Sequence, residues 1–154
     1  DYLIKVAQNN LDKSQSYELA KHMDTIRDLE RISDHWMNLL ECFLSRYDNN
    51  EVYSSNGKLE LEDIFSKVEK MVKGSIEAFK NTNKDIAQSI LLIEDEVDDA
   101  EEKYRKNHLL RMYNGICKAT MANNFSDILS NLERIGDHST NIAEKIISGD
   151  EYFE

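Results

Sequence analysis

Apolar residues recur at steps of three and four along most of this chain, with polar residues between them. That period is typical of amphipathic α-helices, because side chains three or four residues apart lie on one helical face. Residues 14–47 follow the spacing without interruption and are predicted to form one long helix, with Ser14 or Ser16 as its N-cap. The apolar positions of this helix, expected to face inward, are Leu19, Met23, Ile26, Leu29, Ile32, Trp36, Leu40 and Phe43.

The same spacing predicts further helices before and after this segment. They are a helix over 59–80, one over 84–111, one over 118–147, and the last turns of another over residues 2–9. The polar residues 48–58 are predicted to be a connecting loop, and Asn81 to Asn83 a short turn. The fold class is therefore all-α, as an elongated antiparallel helical bundle.

The first long helix and the last one contain nearly the same block of sequence. LERISDHWMNLLE runs from Leu29 to Glu41, and LERIGDHSTNIAE runs from Leu132 to Glu144, at an offset of 103 residues. Such self-similarity indicates an internal repeat, in which each of these helices closes its own group of three. We describe residues 1–154 as one domain: 1–47 are the remnant of a first three-helix repeat, 48–58 the loop, and 59–154 a second repeat. An N-terminal helix and most of another are expected to be absent from the first repeat.

Composition restricts the function classes. The chain has no proline and only 5 glycines, so nothing in its composition interrupts long helices. Its formal net charge is -11, and no basic cluster is available to bind a nucleic-acid backbone. No segment approaches the ~18 apolar residues that span a bilayer, so the chain as given is expected to be soluble. The two cysteines, Cys42 and Cys117, lack the spacing of a zinc or redox site and are expected to be partly buried side chains.

Paired carboxylates are the strongest candidate chemistry. Three pairs at a spacing of four residues flank the apolar stripes of their helices, namely Glu30 with Asp34, Glu94 with Asp98, and Glu133 with Asp137. Like charges at this spacing repel, so a partly dry groove that gathers them needs protons, basic partners or hard cations. A solvated acidic face, neutralised by Arg31 and Arg134, is the alternative.

Other motifs argue against catalysis. His35 and His138 follow the carboxylates directly and are expected to point outward rather than to bind metal. Glu-x-x-His, His-Glu-x-x-His, Gly-x-Ser-x-Gly and glycine-rich phosphate loops are all missing from the sequence. The chain is therefore predicted not to be an enzyme.

The repeated blocks resemble the signature of the PhoU family of phosphate-transport regulators. In that family a Glu-x-x-x-Asp pair within a LERIGDHA-NIAE helix occurs once per three-helix repeat, and such pairs hold multinuclear metal clusters. The resemblance implies metal ligands at Glu94, Asp98, Glu133 and Asp137, and at Glu30 and Asp34 in the first repeat, with Fe, Zn, Mn or Mg as the ion. Residues 2–9 contain no partner motif, so the second cluster is expected to be the more complete. Ser33 and Trp36 depart from the usual glycine and alanine, and Trp36 would add bulk near the site or in the core.

The resemblance also implies partners and a location. PhoU-like domains occur as free regulators and as cytoplasmic tails of bacterial Na⁺/phosphate cotransporters, and the abrupt start of this chain favours the tail, tethered to the inner face of the cell membrane. The expected partner is a phosphate transporter, its membrane-attached domain or a sensor histidine kinase, and not nucleic acid. Two other hypotheses remain open: a metal-binding protein whose ion does chemistry or storage, and a structural bundle that mediates homo-oligomerisation.

Overall fold

The computed structural model describes residues 2–117 and 121–148. Within these ranges every regular element is an α-helix, which confirms the all-α prediction. The helices are α1 (Tyr2–Ala7), α2 (Lys13–Asp48), α3 (Ser55–Asn81), α4 (Lys84–Tyr113) and α5 (Met121–Ile147). Of the last predicted helix, residues 118–120 lie outside the described residues.

Helix starts differ from the predicted ones because of capping residues. Asp12, not Ser14 or Ser16, caps α2: its carboxylate accepts from the backbone N–H of Gln15 at 2.8 Å, and the Gln15 side chain accepts from the Asp12 N–H at 3.1 Å. Ser54 caps α3 by accepting from the Gly57 N–H at 3.1 Å, so α3 begins four residues before position 59. The predicted turn at Asn81 to Asn83 is present, with Thr82 in the left-handed conformation at φ 49°.

Helix α5 is the centre of the molecule. It packs against α2, α3 and α4, while α3 and α4 also pack on each other and α1 contacts α2. Eight of its apolar residues are at most 2% exposed: Phe125, Ile128, Leu129, Leu132, Ile135, Ile142, Ala143 and Ile146. Each large side chain buried in this way stabilises the fold by about 1.5–3 kcal/mol. Helices α3, α4 and α5 thus form a complete three-helix group, with α2 laid along one side.

Helix α2 is covered on only one side. Its positions that face α5 follow a seven-residue spacing and include Thr25, Ile32 and Leu39, which are at most 5% exposed. By contrast, Ile26 is 53% and Leu40 is 49% exposed, so the expectation that they face inward is wrong. The apolar stripe of α2 is wider than the contact that a single neighbour, α5, can provide.

Two further expectations concern the surface. Cys42 and Cys117 are half-buried free thiols, as expected. None of the helices in the described ranges is both long and apolar enough to cross a membrane.

Candidate functional site

An acidic seam follows the contact between α4 and α5. We define the acidic seam by its residues, which are Glu94, Asp98 and Glu101 on α4 and Glu133, Asp137 and Glu144 on α5. The carboxylate pairs of both helices lie beside their buried stripes, on which Val97 and Ile135 are at most 1% exposed. The packing of these apolar stripes therefore places the charges of the two helices opposite each other.

Gly136 sits between the two α5 carboxylates of the repeated block. A Cβ atom at this position would lie 3.5 Å from the Sδ of Met71 and 3.7 Å from a methyl carbon of Val97, which is ordinary van der Waals contact. The glycine thus lies where α3 and α4 both approach α5. Its counterpart in α2, Ser33, is exposed because that face of α2 has no such pair of neighbours.

Burial and neighbouring charges both raise carboxyl pKa values in the seam. Burial, followed by the charges of Asp98, Asp137, Glu144 and Asp95, raises the pKa of Glu94. Burial and then the Asp137 carboxylate raise the pKa of Asp98. These groups bind protons more readily than free carboxyls do, so the site favours positive charge.

Glu133 has the same electrostatic environment on α5. Burial and then the Asp137 carboxylate raise its pKa, an effect that the charge of Arg134 opposes in part. The nearest contact between Arg134 and Glu133 is 3.8 Å, with Arg134 largely in solvent. Glu101 has a closer cation, because Arg105 donates to it from Nε at 2.8 Å and also from Nη2. Only part of the seam is thus neutralised by arginine.

The acidic seam has the donor atoms of a metal site but not the convergence of side chains that a bound ion needs. Its donors are all carboxylate oxygens, which suit hard cations such as Mg²⁺ and Mn²⁺, and their mutual repulsion would be relieved by an ion. However, nowhere in residues 2–117 and 121–148 do three His, Cys, Asp or Glu side chains converge closely enough to hold one ion. In the described conformation, side chains would have to rotate before they could bind a metal.

The first-repeat pair has a different environment. Glu30 and Asp34 are exposed on α2, and they are not among the charges that perturb the acidic seam. Of the six predicted ligands, the structure therefore brings together Glu94, Asp98, Glu133 and Asp137 and leaves the α2 pair separate.

The histidines were predicted to point outward, and that prediction is wrong. His35 and His138 lie between α2 and α5 with their rings stacked, the centroids 5.8 Å apart and the planes at 26°. Asn131 Oδ1 lies 2.9 Å from Nδ1 of His35, and Asp28 Oδ1 lies 3.0 Å from Nδ1 of His138. The side chain of His138 is 21% exposed, so its contact with Asp28 is partly shielded from solvent.

We call these contacts of His35, His138, Asp28 and Asn131 the histidine junction. It is formed by equivalent positions of the two repeats. The offset of 103 residues relates His35 to His138, and it also relates Asp28 to Asn131. Lys145 and Asn141 donate to Asp28 as well, and Asp28 is 8% exposed. The repeat alignment already pairs His35 with His138, which is the signal that could have indicated their contact. The outward direction was predicted from the position of each histidine on its own helix, and that argument ignores the neighbouring helix.

Comparison with known proteins identifies relatives of this architecture. The model of the PhoU domain matches residues 61–146. A phosphate-specific transport system accessory protein PhoU homolog from Thermotoga maritima is 32% identical over 78% of this chain and 51% of its own length. A homolog from Pseudomonas aeruginosa is 31% identical over 80% of this chain and 50% of its own length.

A solved structure gives the same result in three dimensions. The crystal structure of PhoU from Pseudomonas aeruginosa superposes with a TM-score of 0.88 at 26% identity, covering 95% of this chain and 69% of that one. The chain spans about half the length of the curated relatives it matches.

Proposed function

Since this chain belongs to the PhoU domain family, we propose that it acts as a non-catalytic regulator of phosphate transport or phosphate signalling. The observation that carries the proposal is the family match over the second repeat, which includes the carboxylate pairs on α4 and α5. The names of the relatives describe accessory proteins of phosphate-specific transport systems. These names support docking on a phosphate transporter rather than turnover of a substrate, and a sensor histidine kinase is the alternative partner that the sequence resemblance implies.

The names of the relatives also bear on the setting of the domain. We favour a free-standing cytoplasmic accessory protein over a tail of a Na⁺/phosphate cotransporter, because the relatives are named as accessory proteins. Attachment to the inner face of the membrane would then come from the transporter partner.

A deletion in the source cell tests this proposal. Removing the coding segment for this chain should change phosphate uptake and the output of phosphate-starvation genes in phosphate-rich medium, and re-expression should reverse both changes. Unchanged uptake and gene output after deletion would contradict a regulatory role. A variant that removes two of the seam charges, Glu94→Gln with Glu133→Gln, would show whether regulation depends on the acidic seam, once thermal melts establish that it is folded.

We propose as a second function that the acidic seam binds a divalent or ferric ion. The raised pKa values of Glu94, Asp98 and Glu133 support this proposal, because a bound cation would offset both the burial of these carboxylates and the repulsion among them. Glu94 and Asp98 from α4, with Glu133 and Asp137 from α5, would hold the ion after side-chain rotation. The ion would supply positive charge that fixes α4 against α5.

A further inference from the structure

Large apolar side chains protrude from the end of the bundle at which α4 terminates. They lie in the last turns of α4, in the turn that follows it and near the start of α3. Each is more than half exposed: Leu59 at 63%, Leu109 at 56%, Leu110 at 53%, Tyr113 at 89% and Ile116 at 63%. We call these five residues the apolar end.

Contacts between helices hold the residues of the apolar end together. Glu60, next to Leu59, accepts hydrogen bonds from Arg111 at 2.7 and 3.0 Å and from Asn107 at 2.8 Å, which joins the start of α3 to the last turns of α4. Within the described residues α4 packs on α3 and α5, and none of its Cα atoms lies within 8 Å of one in α2. The apolar end therefore belongs to the complete three-helix group and is separate from the open face of α2.

The charge of α4 changes sign just before the apolar end. Residues 94–102 contain seven acidic residues and no basic one, whereas residues 103–117 contain four basic residues and no acidic one. The two arginines of the second segment already have carboxylate partners on α3 and α4. Lys103 and Lys106 are exposed, and in the part of the chain that the structure describes neither has a carboxylate oxygen within 4 Å. Two cations without an acidic partner thus lie beside the apolar end.

Four residues combine basic and apolar character on the outward face of α4. Lys103, Lys106, Leu110 and Tyr113 follow one another at steps of three, four and three, and all four are exposed. Such a face is typical of segments that lie at membrane surfaces. From Lys106 to Tyr113 the helix rises about 10 Å, so a lysine side chain can reach lipid headgroups while Tyr113 lies at the edge of the hydrocarbon.

The protruding shape of the apolar end fits lipid better than a protein surface. Tyr113 is the last residue of α4, and Ile116 follows in a turn in which Gly115 has a φ of 68°, so both side chains project from the end of the helix. A protein partner would need a complementary hollow for each of them. Lipid chains are fluid and rearrange around separate apolar side chains, so a membrane interface accepts them without such a match.

The acidic remainder of the chain is compatible with an anionic membrane at this end. Glu102, the last acidic residue of α4, lies eight residues before Leu110, which is about 12 Å along the helix axis. Charges at that distance are screened, because the Debye length at physiological ionic strength is about 8 Å. Residues 46–58, which lead into α3, contain two basic and two acidic residues and are neutral overall. The two lysines therefore dominate the attraction, and the acidic seam would point away from the membrane.

We propose that the apolar end docks on the surface of an anionic membrane, with Leu110 and Tyr113 in the interface and Lys103 and Lys106 at the lipid headgroups. This contact with lipid is direct and would add to any attachment through a transporter. It needs only the chain and the lipid. The inference and the proposed function can therefore fail separately.

Cosedimentation with lipid vesicles tests the proposal. One set of vesicles contains only phosphatidylcholine, and the other contains two parts phosphatidylcholine to one part phosphatidylglycerol, which is anionic. In dilute salt the chain should partition into the anionic vesicles about tenfold more strongly than into the neutral ones, and added salt should reduce this preference. Equal partitioning into both sets, or binding to neither, would overturn the proposal.

Two double variants distinguish the apolar end from other exposed leucines. Leu109→Gln with Leu110→Gln removes apolar surface at the apolar end and should weaken binding to the anionic vesicles about tenfold. Leu29→Gln with Leu92→Gln makes the same change at leucines remote from it, which are 39% and 70% exposed, and should leave binding unchanged. Thermal melts establish that each variant is folded. Equal losses in both would contradict docking through the apolar end.

A second pair of variants separates local from overall charge. Lys103→Glu with Lys106→Glu should weaken binding to the anionic vesicles about tenfold, because it places like charge at the headgroups. Lys70→Glu with Lys73→Glu makes the same change in net charge at the same spacing on the exposed side of α3, and its effect should be much smaller. If both variants lost binding equally, attraction would depend on net charge and the proposal would be wrong.

A second copy of the chain is the alternative occupant of the apolar end. Analytical ultracentrifugation without vesicles should show no association that depends on Leu109 and Leu110. Self-association that Leu109→Gln with Leu110→Gln abolishes would assign the apolar end to a contact between copies and overturn the proposal.

Discussion

Three carboxyl groups in the acidic seam have pKa values above their ordinary range, and these residues make the stability of the fold depend on pH. Glu94, Asp98 and Glu133 each lose water by packing at the seam and face other carboxylates, Asp137 among them. At neutral pH their ionised forms repel one another. These three groups therefore bind more protons in the folded protein than in the unfolded chain at pH values above the ordinary carboxyl pKa of about 4.

We predict that protonation of these groups adds to the free energy of unfolding as the pH falls from 7 toward 5. Because burial and, after it, neighbouring carboxylates disfavour the ionised forms in the folded state, protonation relieves a cost of folding, and this contribution has the opposite sign to ordinary acid destabilisation. Urea unfolding of the wild type and of Glu94→Gln with Asp98→Asn and Glu133→Gln, at pH 7 and pH 5, measures it. The variant should be the more stable protein at pH 7, and its advantage should shrink at pH 5. An advantage that is independent of pH would contradict this assignment.

Asp63 has the opposite dependence on pH. Hydrogen bonds from Lys67 and then Tyr104, at 2.7 and 2.6 Å, lower the pKa of this carboxyl group. Its contribution to stability is present above the ordinary carboxyl pKa and is lost as the pH falls through the lowered value. Acid unfolding below about pH 4 therefore involves groups such as Asp63 and not the acidic seam.

At the scale of elements, the contact between α2 and α5 depends on polar groups as well as apolar ones. Ile32 and Leu39 supply burial, while the histidine junction fixes the register of the two helices. Asp28 accepts hydrogen bonds from His138, Asn141 and Lys145, all three of them on α5. A shift of one helical turn would leave this buried carboxylate without its partners.

We expect Asp28→Asn to lower the free energy of unfolding by about 2 kcal/mol, because charge-assisted hydrogen bonds are lost at a largely buried position. Asp24→Asn is the matched control on the same helix. Its carboxylate is 48% exposed and lies 3.1 Å from the exposed Arg27, so its loss should cost no more than about 0.5 kcal/mol. Equal effects in urea unfolding would show that the junction contributes no more than an ordinary surface pair.

At the scale of the whole molecule, a metal ion at the acidic seam would stabilise the fold by mass action. We predict that Mn²⁺, Zn²⁺ or Fe³⁺ raises the melting temperature of the wild type. Glu133→Gln with Asp137→Asn should abolish this rise and should make the metal-free protein more stable by roughly 0.2–0.5 kcal/mol, since an unfavourable pair at a spacing of four residues is removed. Thermal melts combined with elemental analysis measure both effects.

The first-repeat pair provides the control for the metal prediction. Glu30→Gln with Asp34→Asn changes the same two residue types at the same spacing, on the exposed face of α2 and away from the seam. It should leave the metal response intact, because these carboxylates lack a facing pair comparable to Glu94 and Asp98. Equal loss of the response in both double variants would contradict a single site between α4 and α5.

The sequence by itself determined the class of fold, the existence of the repeat and the family. Helical periodicity follows from local geometry, and an amphipathic stripe such as that of α5 is visible in any chain that must bury one face. The repeated blocks contain two of the carboxylate pairs, Glu30 with Asp34 and Glu133 with Asp137, and the spacing of four residues identified Glu94 with Asp98 outside them. The cap at Asp12 was misplaced because several nearby residues can cap a helix, and only the backbone geometry selects one.

Tertiary structure alone decided which faces meet. Glu94, Asp98, Glu133 and Asp137 share a seam because α4 packs on α5, whereas Glu30 and Asp34 have the same spacing and remain exposed. The register of α2 on α5 turned His35 and His138 toward each other, and the gap between α2 and α3 left Trp36 in an open groove. Periodicity specifies the direction of a side chain about its own helix axis, but its neighbours depend on the distance and register between helices, which are set by packing over the entire core.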